Sequence, residues 1–228
     1  MGEAPPIFAQ AASAPLAYVA ATVTRPQSEA VLVPPQSSIR SVADLKGKRI
    51  ALNKGSNVHY FLAKLLRQHG LQYGDVNLVF LAPADARTAF ERASIDAWVI
   101  WDPFFAAADK SLGARVIADA SGVVGNRAYY FSSQTYAAKN PDVIRILIEE
   151  LDKVDQWGKQ NRDQLASELA QLWPKPVVDV AVGRQQFGTQ PITRAILWEQ
   201  QQIADTFLEL GLIPKHVDVL NAAPPNLA

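Results

Sequence analysis

Cysteine is absent from the 228 residues. That removes disulfides, thiolate nucleophiles and thiolate-ligated metals, and is compatible with either redox compartment. Histidine is scarce, at positions 59, 69 and 216 with no HxH or HExxH spacing, so no zinc site or other metal site is expected. Net charge is lacking as well, 22 Lys and Arg balancing 22 Asp and Glu. Neither nucleic acid nor an anionic membrane is therefore an expected partner. No apolar run approaches the roughly 20 residues that cross a bilayer, so direct membrane insertion is not expected either. GxSxG, GxGxxG and GxxxxGK[ST] are all missing, which withholds a serine-hydrolase elbow and both common phosphate-binding loops. What is present, 49% hydrophobic and 19% charged residues, suffices for a sizeable core in one large or two small domains.

Apolar periodicity divides the chain into alternating strands and helices. Strands are expected at Leu16–Thr22, Glu29–Val33, Arg49–Asn53, Asn77–Leu81, Ile95–Trp101, Ala114–Ala118 and Arg127–Ser132. Helices are expected behind Pro5-Pro6, from Ser56/Asn57 to Gly70, over Ala86–Arg92 capped by Asp85, and over Phe104–Ser111. Further helices run from Pro141 to about Trp157, over Asn161–Trp173 and Pro176–Phe187, and over Thr193–Leu210; the tail from Leu212 reads as loop. The alternation makes the class α/β, with at least one mostly parallel sheet. A weak likeness links residues 95–118 to residues 2–20: acidic loop, proline, small-residue helix, strand. The first copy lacks the strand that precedes the loop in the second.

The stretch Lys48–Gln68 organises the rest. A short strand ends at Lys54-Gly55-Ser56-Asn57 and feeds a helix whose Val58, Phe61, Leu62, Leu65 and Leu66 form one apolar stripe. Free amides and the positive dipole end then converge on one point, which suits an anion, although a plain helix cap has the same pattern. His59, early in this helix, is either a donor to a ligand oxygen, an acid/base group or a solvated residue. Trp101-Asp102-Pro103 ends another strand and places an aromatic face and a carboxylate at the carboxyl edge of a sheet, where open α/β sheets bind ligands. Asp102 also suits a helix cap, and Trp98 on the same strand suits the core. Glu3 holds the matching place in the first half, where it either lines the same cleft or is a disordered terminal residue. Arg127 and Arg184 are the cations whose guanidinium could clamp an oxyanion.

Read in order, Ser41-Val-Ala-Asp-Leu-Lys-Gly-Lys-Arg-Ile-Ala, Lys54-Gly-Ser-Asn-Val-His-Tyr, Pro83-Ala-Asp-Ala and Asp96-Ala-Trp-Val-Ile-Trp-Asp-Pro resemble the aliphatic sulfonate-binding proteins of ABC importers. These are periplasmic solute-binding proteins related to the nitrate and taurine binders. SVADLKGK recurs in many solute-binding families; GSNVHY with DAWVIWDP is the more specific pair. Gly2-Glu-Ala-Pro-Pro-Ile-Phe-Ala-Gln resembles the family's first-lobe binding loop.

The resemblance implies a two-lobe fold of the type II periplasmic-binding-protein kind with parallel-rich sheets. Residues 1–35 and 128–228 would form the first lobe and residues 36–127 the second, with crossings near Val33–Ser38 and Gly125–Tyr129. It implies a non-catalytic, cofactor-free monomer that captures a small sulfonate and delivers it to a membrane permease. Ligand-binding residues would be Gly2 and Glu3 in one lobe and Gly55, Ser56, Asn57, His59, Trp101 and Asp102 in the other. Location would be periplasmic, yet Met1-Gly2-Glu3 has neither the basic nor the apolar region of a secretory signal. An N-terminally truncated member is therefore expected, lacking the first strand and helix of its first lobe. Two alternatives stay open: a nitrate- or taurine-type anion binder, and an enzyme like the pyridoxal-dependent thiamine-pyrimidine synthases, with Lys54 and His59 as its reactive pair. A cytoplasmic sensor that has lost export is a further one.

Overall fold

In the computed structural model, which describes residues 1–224, strands and helices follow the order set by hydrophobic period. The first half contains α1 (Pro5–Ala11), β1 (Leu16–Thr22), β2 (Glu29–Val33), β3 (Arg49–Leu52), α2 (Asn57–Gln68), β4 (Asn77–Phe80), α3 (Pro83–Glu91), β5 (Ala97–Trp101) and α4 (Phe104–Leu112). The second contains β6 (Arg115–Asp119), β7 (Tyr129–Ser133), α5 (Gln134–Lys139), α6 (Pro141–Gln160), α7 (Arg162–Leu169), α8 (Lys175–Arg184), β8 (Thr189–Pro191) and α9 (Arg194–Glu209). They divide into two units, residues 25–126 with 162–185, and residues 1–24 with 127–161 and the described residues from Gln186.

The unit built on residues 25–126 carries a five-stranded sheet in the order β4-β3-β5-β2-β6. β3 runs parallel to β4 and β5, as the crossover helices α2 and α3 require, whereas β2 is antiparallel to β5 and β6. Alternate residues serve opposite faces. Val31, Val33, Ile50, Leu52 and Val99 pack with Phe61, Leu62 and Leu65 of α2. Ala30, Leu32, Ala51, Trp98 and Ile100 pack with Phe90 of α3 and Phe105 of α4. Because both faces are covered, the central strands read as continuous apolar runs. The α2 stripe is buried as its period predicts, and each such side chain contributes about 1.5–3 kcal/mol. Gly70, at φ 73°, closes that helix: its N–H donates to Arg67 O at 3.1 Å and the Leu71 N–H to Leu66 O at 2.9 Å.

The other unit has a three-stranded antiparallel sheet, β7-β1-β8. β8 was not expected from sequence: it is three residues long and ends in proline. Val143, Leu147 and Val154, on one face of α6, are 48%, 44% and 65% exposed. Beneath the same helix, Val19, Ala137, Ile144, Ile148, Pro191 and Ile192 border a groove of about 470 Å³.

Several boundaries differ from the sequence reading. α3 starts at Pro83, which is preorganised for the first helical position, so Asp85 lies in its first turn instead of capping it. Within the described residues the tail contains a 3-10 turn, Val219–Ala222, and the last four residues of the expected loop lie outside the described residues. The unit limits fall at Thr24/Arg25 and Asn126/Arg127, so the limit placed at residue 35 is corrected: β2 is hydrogen-bonded between β5 and β6 and belongs wholly to their unit. Residues 162–185, assigned from sequence to the first lobe, also join that unit. There Val177, with Trp173 and Ala181, packs on Ala106 and Ala107 of α4.

Candidate functional site

Parallel pairing of β3 and β5 sets their carboxyl ends side by side, and α2 and α4 both start at this edge. Glu29, at the start of β2, is in register with Trp101 and so comes to the same edge. The turn between β3 and α2 needs Gly55 in the left-handed region, at φ 72°. Ser56 Oγ donates to Asn53 O at 2.7 Å, and helical bonding starts with the His59 N–H to Ser56 O at 3.1 Å. The amides of Asn57 and Val58 precede that bond and open the first turn, where the helix dipole is positive. Trp101 stands half-buried at the edge, with its ring edge-on to Phe104 at 6.3 Å.

The structure therefore gathers Gly55, Ser56, Asn57, Trp101 and Asp102 at one sheet edge. Their side chains are less free than the sequence suggested. Asn57 Nδ2 donates to Glu29 Oε2 at 2.7 Å and to Asn126 Oδ1 at 3.0 Å. Asp102 Oδ1 accepts from the Ala106 N–H at 2.9 Å and from Arg184 Nη1 at 3.2 Å. Burial pushes the Asp102 carboxyl up to about 6, against the opposing pull of Arg184. Arg184 also reaches Asp109 and lies 3.6 Å from the centroid of the Phe105 ring. Asp102 is thus a cap and an ion-pair partner.

His59 is corrected more fully. It is neither solvated nor turned to a ligand but fully buried. Gly55 N–H donates to its Nδ1 at 3.0 Å, which puts the ring proton on Nε2, 2.5 Å from the Tyr73 hydroxyl. Burial, reinforced by the Lys54 charge, holds its pKa down to about 4, so the imidazole is neutral near pH 7. Its work is to brace the Gly55 turn from inside.

In the other unit Gly2 forms a single antiparallel bridge with Ala128. Glu3 is 3% exposed, so it is not a disordered terminal residue. Its Oε2 accepts from the Arg127 N–H at 3.1 Å, while Oε1 is buried without a hydrogen-bond partner. Burial raises the Glu3 carboxyl to about 7. The Arg127 guanidinium donates to Glu199 and to Thr22 O, each at 2.8 Å. Both arginines singled out as anion clamps are therefore engaged with acidic partners.

Sequence reasoning missed Glu29, Ser28 and Asn126. A lone carboxylate in the otherwise apolar run Glu29-Ala-Val-Leu-Val was the available signal, since a buried charge needs dedicated partners. The arrangement offers amide donors and an aromatic wall. Among the described residues no group of three His, Asp or Glu side chains is placed to hold a metal.

Comparison with known proteins gives the lineage. The NMT1/THI5-like family profile matches residues 5–163. A protein of Escherichia coli (strain K12) named for aliphatic sulfonate binding is 39% identical over 221 residues, 96% of this chain and 69% of its own. The crystal structure of the periplasmic aliphatic sulphonate binding protein SsuA from Escherichia coli superposes with a TM-score of 0.92 at 38% identity, covering 97% of this chain and 73% of that one. The alkanesulfonate-binding protein SsuA from Xanthomonas axonopodis pv. citri, solved bound to MOPS, superposes with a TM-score of 0.89 at 37% identity, covering 97% and 78%. The profile match over residues 5–163 and 39% identity over 96% of the chain assign the lineage: the chain belongs to the NMT1/THI5-like family, in the branch of the periplasmic aliphatic sulfonate-binding proteins.

Proposed function

We propose that this chain is the solute-binding component of an ABC importer and captures small aliphatic sulfonates. The observation that carries the reading is 39% identity over 96% of the chain to a relative named for that ligand class. The chemistry of the sheet edge supports it. A sulfonate is fully ionised at neutral pH and needs several donors and no proton acceptor. The Asn57 and Val58 amides at the positive end of α2 supply such donors, each charge-assisted bond being worth about 1.5–3 kcal/mol. Gly55 lets the turn close, Ser56 shapes it, and Trp101 offers an apolar wall to the alkyl group. On this reading His59, Asp102 and the Glu3 carboxylate are supports that do not touch the anion, because each is buried on protein partners.

The same reading gives a monomer that works in the periplasm and delivers its ligand to a membrane permease. No described helix is long and apolar enough to cross a membrane itself. It also makes the protein a binder and not an enzyme: an imine-forming pair of Lys54 and His59 is disfavoured by the burial and neutral state of His59. The decisive experiment is titration calorimetry with ethanesulfonate, taurine, nitrate and sulfate. Saturable heat with the alkanesulfonate is expected; heat with nitrate alone, or with none of the four, overturns the assignment.

A further inference from the structure

Asn57 and Asn126 are joined at the edge that the proposed ligand would use, and neither side chain has a donor to spare. The two Asn57 Nδ2 hydrogens go to Glu29 Oε2 at 2.7 Å and Asn126 Oδ1 at 3.0 Å. The two Asn126 Nδ2 hydrogens go to Arg25 O at 3.1 Å and Ser28 Oγ at 3.0 Å, and Ser28 Oγ itself donates to Arg25 O at 2.7 Å. Glu29 is fully buried, and Ser28 and Asn126 are 9% exposed. We propose that Glu29 and Asn126 are positioning residues: with Asn57 they form a buried clasp that fixes the first turn of α2, and so its anion-facing amides, to residues 25–29 and 126. Arg25 and Asn126 are the residues at which the chain enters and first leaves this unit. The clasp thus ties the turn to both of its ends.

Three features favour positioning over mere packing. Every bond in the clasp is directional, and a chain of buried hydrogen bonds tolerates little displacement of any member. Asn57, the first helical residue, would otherwise be free to turn its amide outward; held by Glu29 and Asn126 it presents only backbone N–H to a ligand. Asn126 sits at φ 48°, a conformation that glycine adopts without penalty and asparagine tolerates. Backbone demand alone would be met by glycine, so the asparagine side chain is accounted for by the bonds it makes.

This inference rests on the proposed sulfonate reading for its ligand, so its test has a ligand-free arm. Asn126→Gly keeps the backbone conformation and removes the clasp bonds made by the Asn126 side chain, leaving Asn57 tied only to Glu29. Amide hydrogen exchange of the unliganded full chain should then accelerate at His59 and Tyr60, the first hydrogen-bonded amides of α2, by about tenfold or more, the loss of roughly the one bond that ties Asn57 to Asn126, with α9 unchanged. Unchanged exchange at His59 and Tyr60 overturns the clasp. The second arm is calorimetry with ethanesulfonate on Asn57→Ala, Asn126→Gly and the double variant. A positioning unit predicts that each weakens affinity and that the double variant is little worse than the worse single one. Additive losses, or full affinity in Asn126→Gly, overturn the positioning role. If the parent chain gives no heat with any alkanesulfonate, it is the functional reading that fails, and the exchange arm decides the clasp alone.

Discussion

Asp102 and Arg184 meet at 3.2 Å in the interior between α4 and α8, with the Asp102 side chain 9% exposed and that of Arg184 22% exposed. The carboxylate also accepts the Ala106 N–H, and the guanidinium lies over Phe105. This pair joins the sheet edge to α8, a helix that reaches the unit from a later part of the chain.

Arg184→Leu should destabilise the protein by about 3 kcal/mol, because it leaves a buried carboxylate without its cation. Asp102→Asn in the same background should restore part of the loss, since the amide oxygen can still accept from Ala106 without a charge to solvate. Denaturant unfolding of the two singles and the double tests this; strictly additive losses contradict it.

Glu3 makes stability depend on pH. Its carboxyl is raised from 4.5 to about 7, so across that window the folded state retains a proton that the unfolded state has released. Stability from this group therefore falls as pH rises from 4.5 to 7. Glu3→Gln should flatten that slope in thermal melts, a change of about 2–4 °C per kcal/mol for a chain of this size. An identical pH slope in the variant excludes Glu3 as its source.

His59 acts with the opposite sign. Its pKa lies below the ordinary 6.5, at about 4, so the unfolded state binds the extra proton first and stability rises with pH between those values. The ring resonances of His59 should stay at neutral-imidazole positions until the pH approaches 4. A midpoint near 6.5 would mean that the ring is not held by Gly55 and Tyr73 as observed.

Ser56→Ala should weaken sulfonate affinity by no more than several-fold. The hydroxyl already donates to Asn53 O, so the ligand is left to the backbone amides. Loss of all binding in this variant would show that the hydroxyl itself holds the anion.

The architecture was legible wherever one local rule decided it. The α2 stripe and the Gly70 stop follow from helical period and glycine's freedom at positive φ, and Trp98 lies in the core as the sequence suggested. β8 and the membership of α7 and α8 were not legible, because a three-residue strand has no period and the packing of Val177 on Ala106 is long-range. Within the candidate site, the residue types at the edge could be read, but their partners could not. Asn57 looked like a ligand donor because Glu29 and Asn126, which consume its hydrogens, are 28 and 69 residues away in the chain. His59 looked exposed because its place on the helix says nothing of Tyr73, which closes over it.

The central claim is that the opening amides of α2 hold a sulfonate. Amide NMR spectra recorded during titration with ethanesulfonate test it most directly. Saturable shifts should concentrate on Gly55, Ser56, Asn57 and Val58, with the indole of Trp101 perturbed alongside. Saturable binding that leaves those four amides unmoved, or no saturable shift at all, contradicts the account.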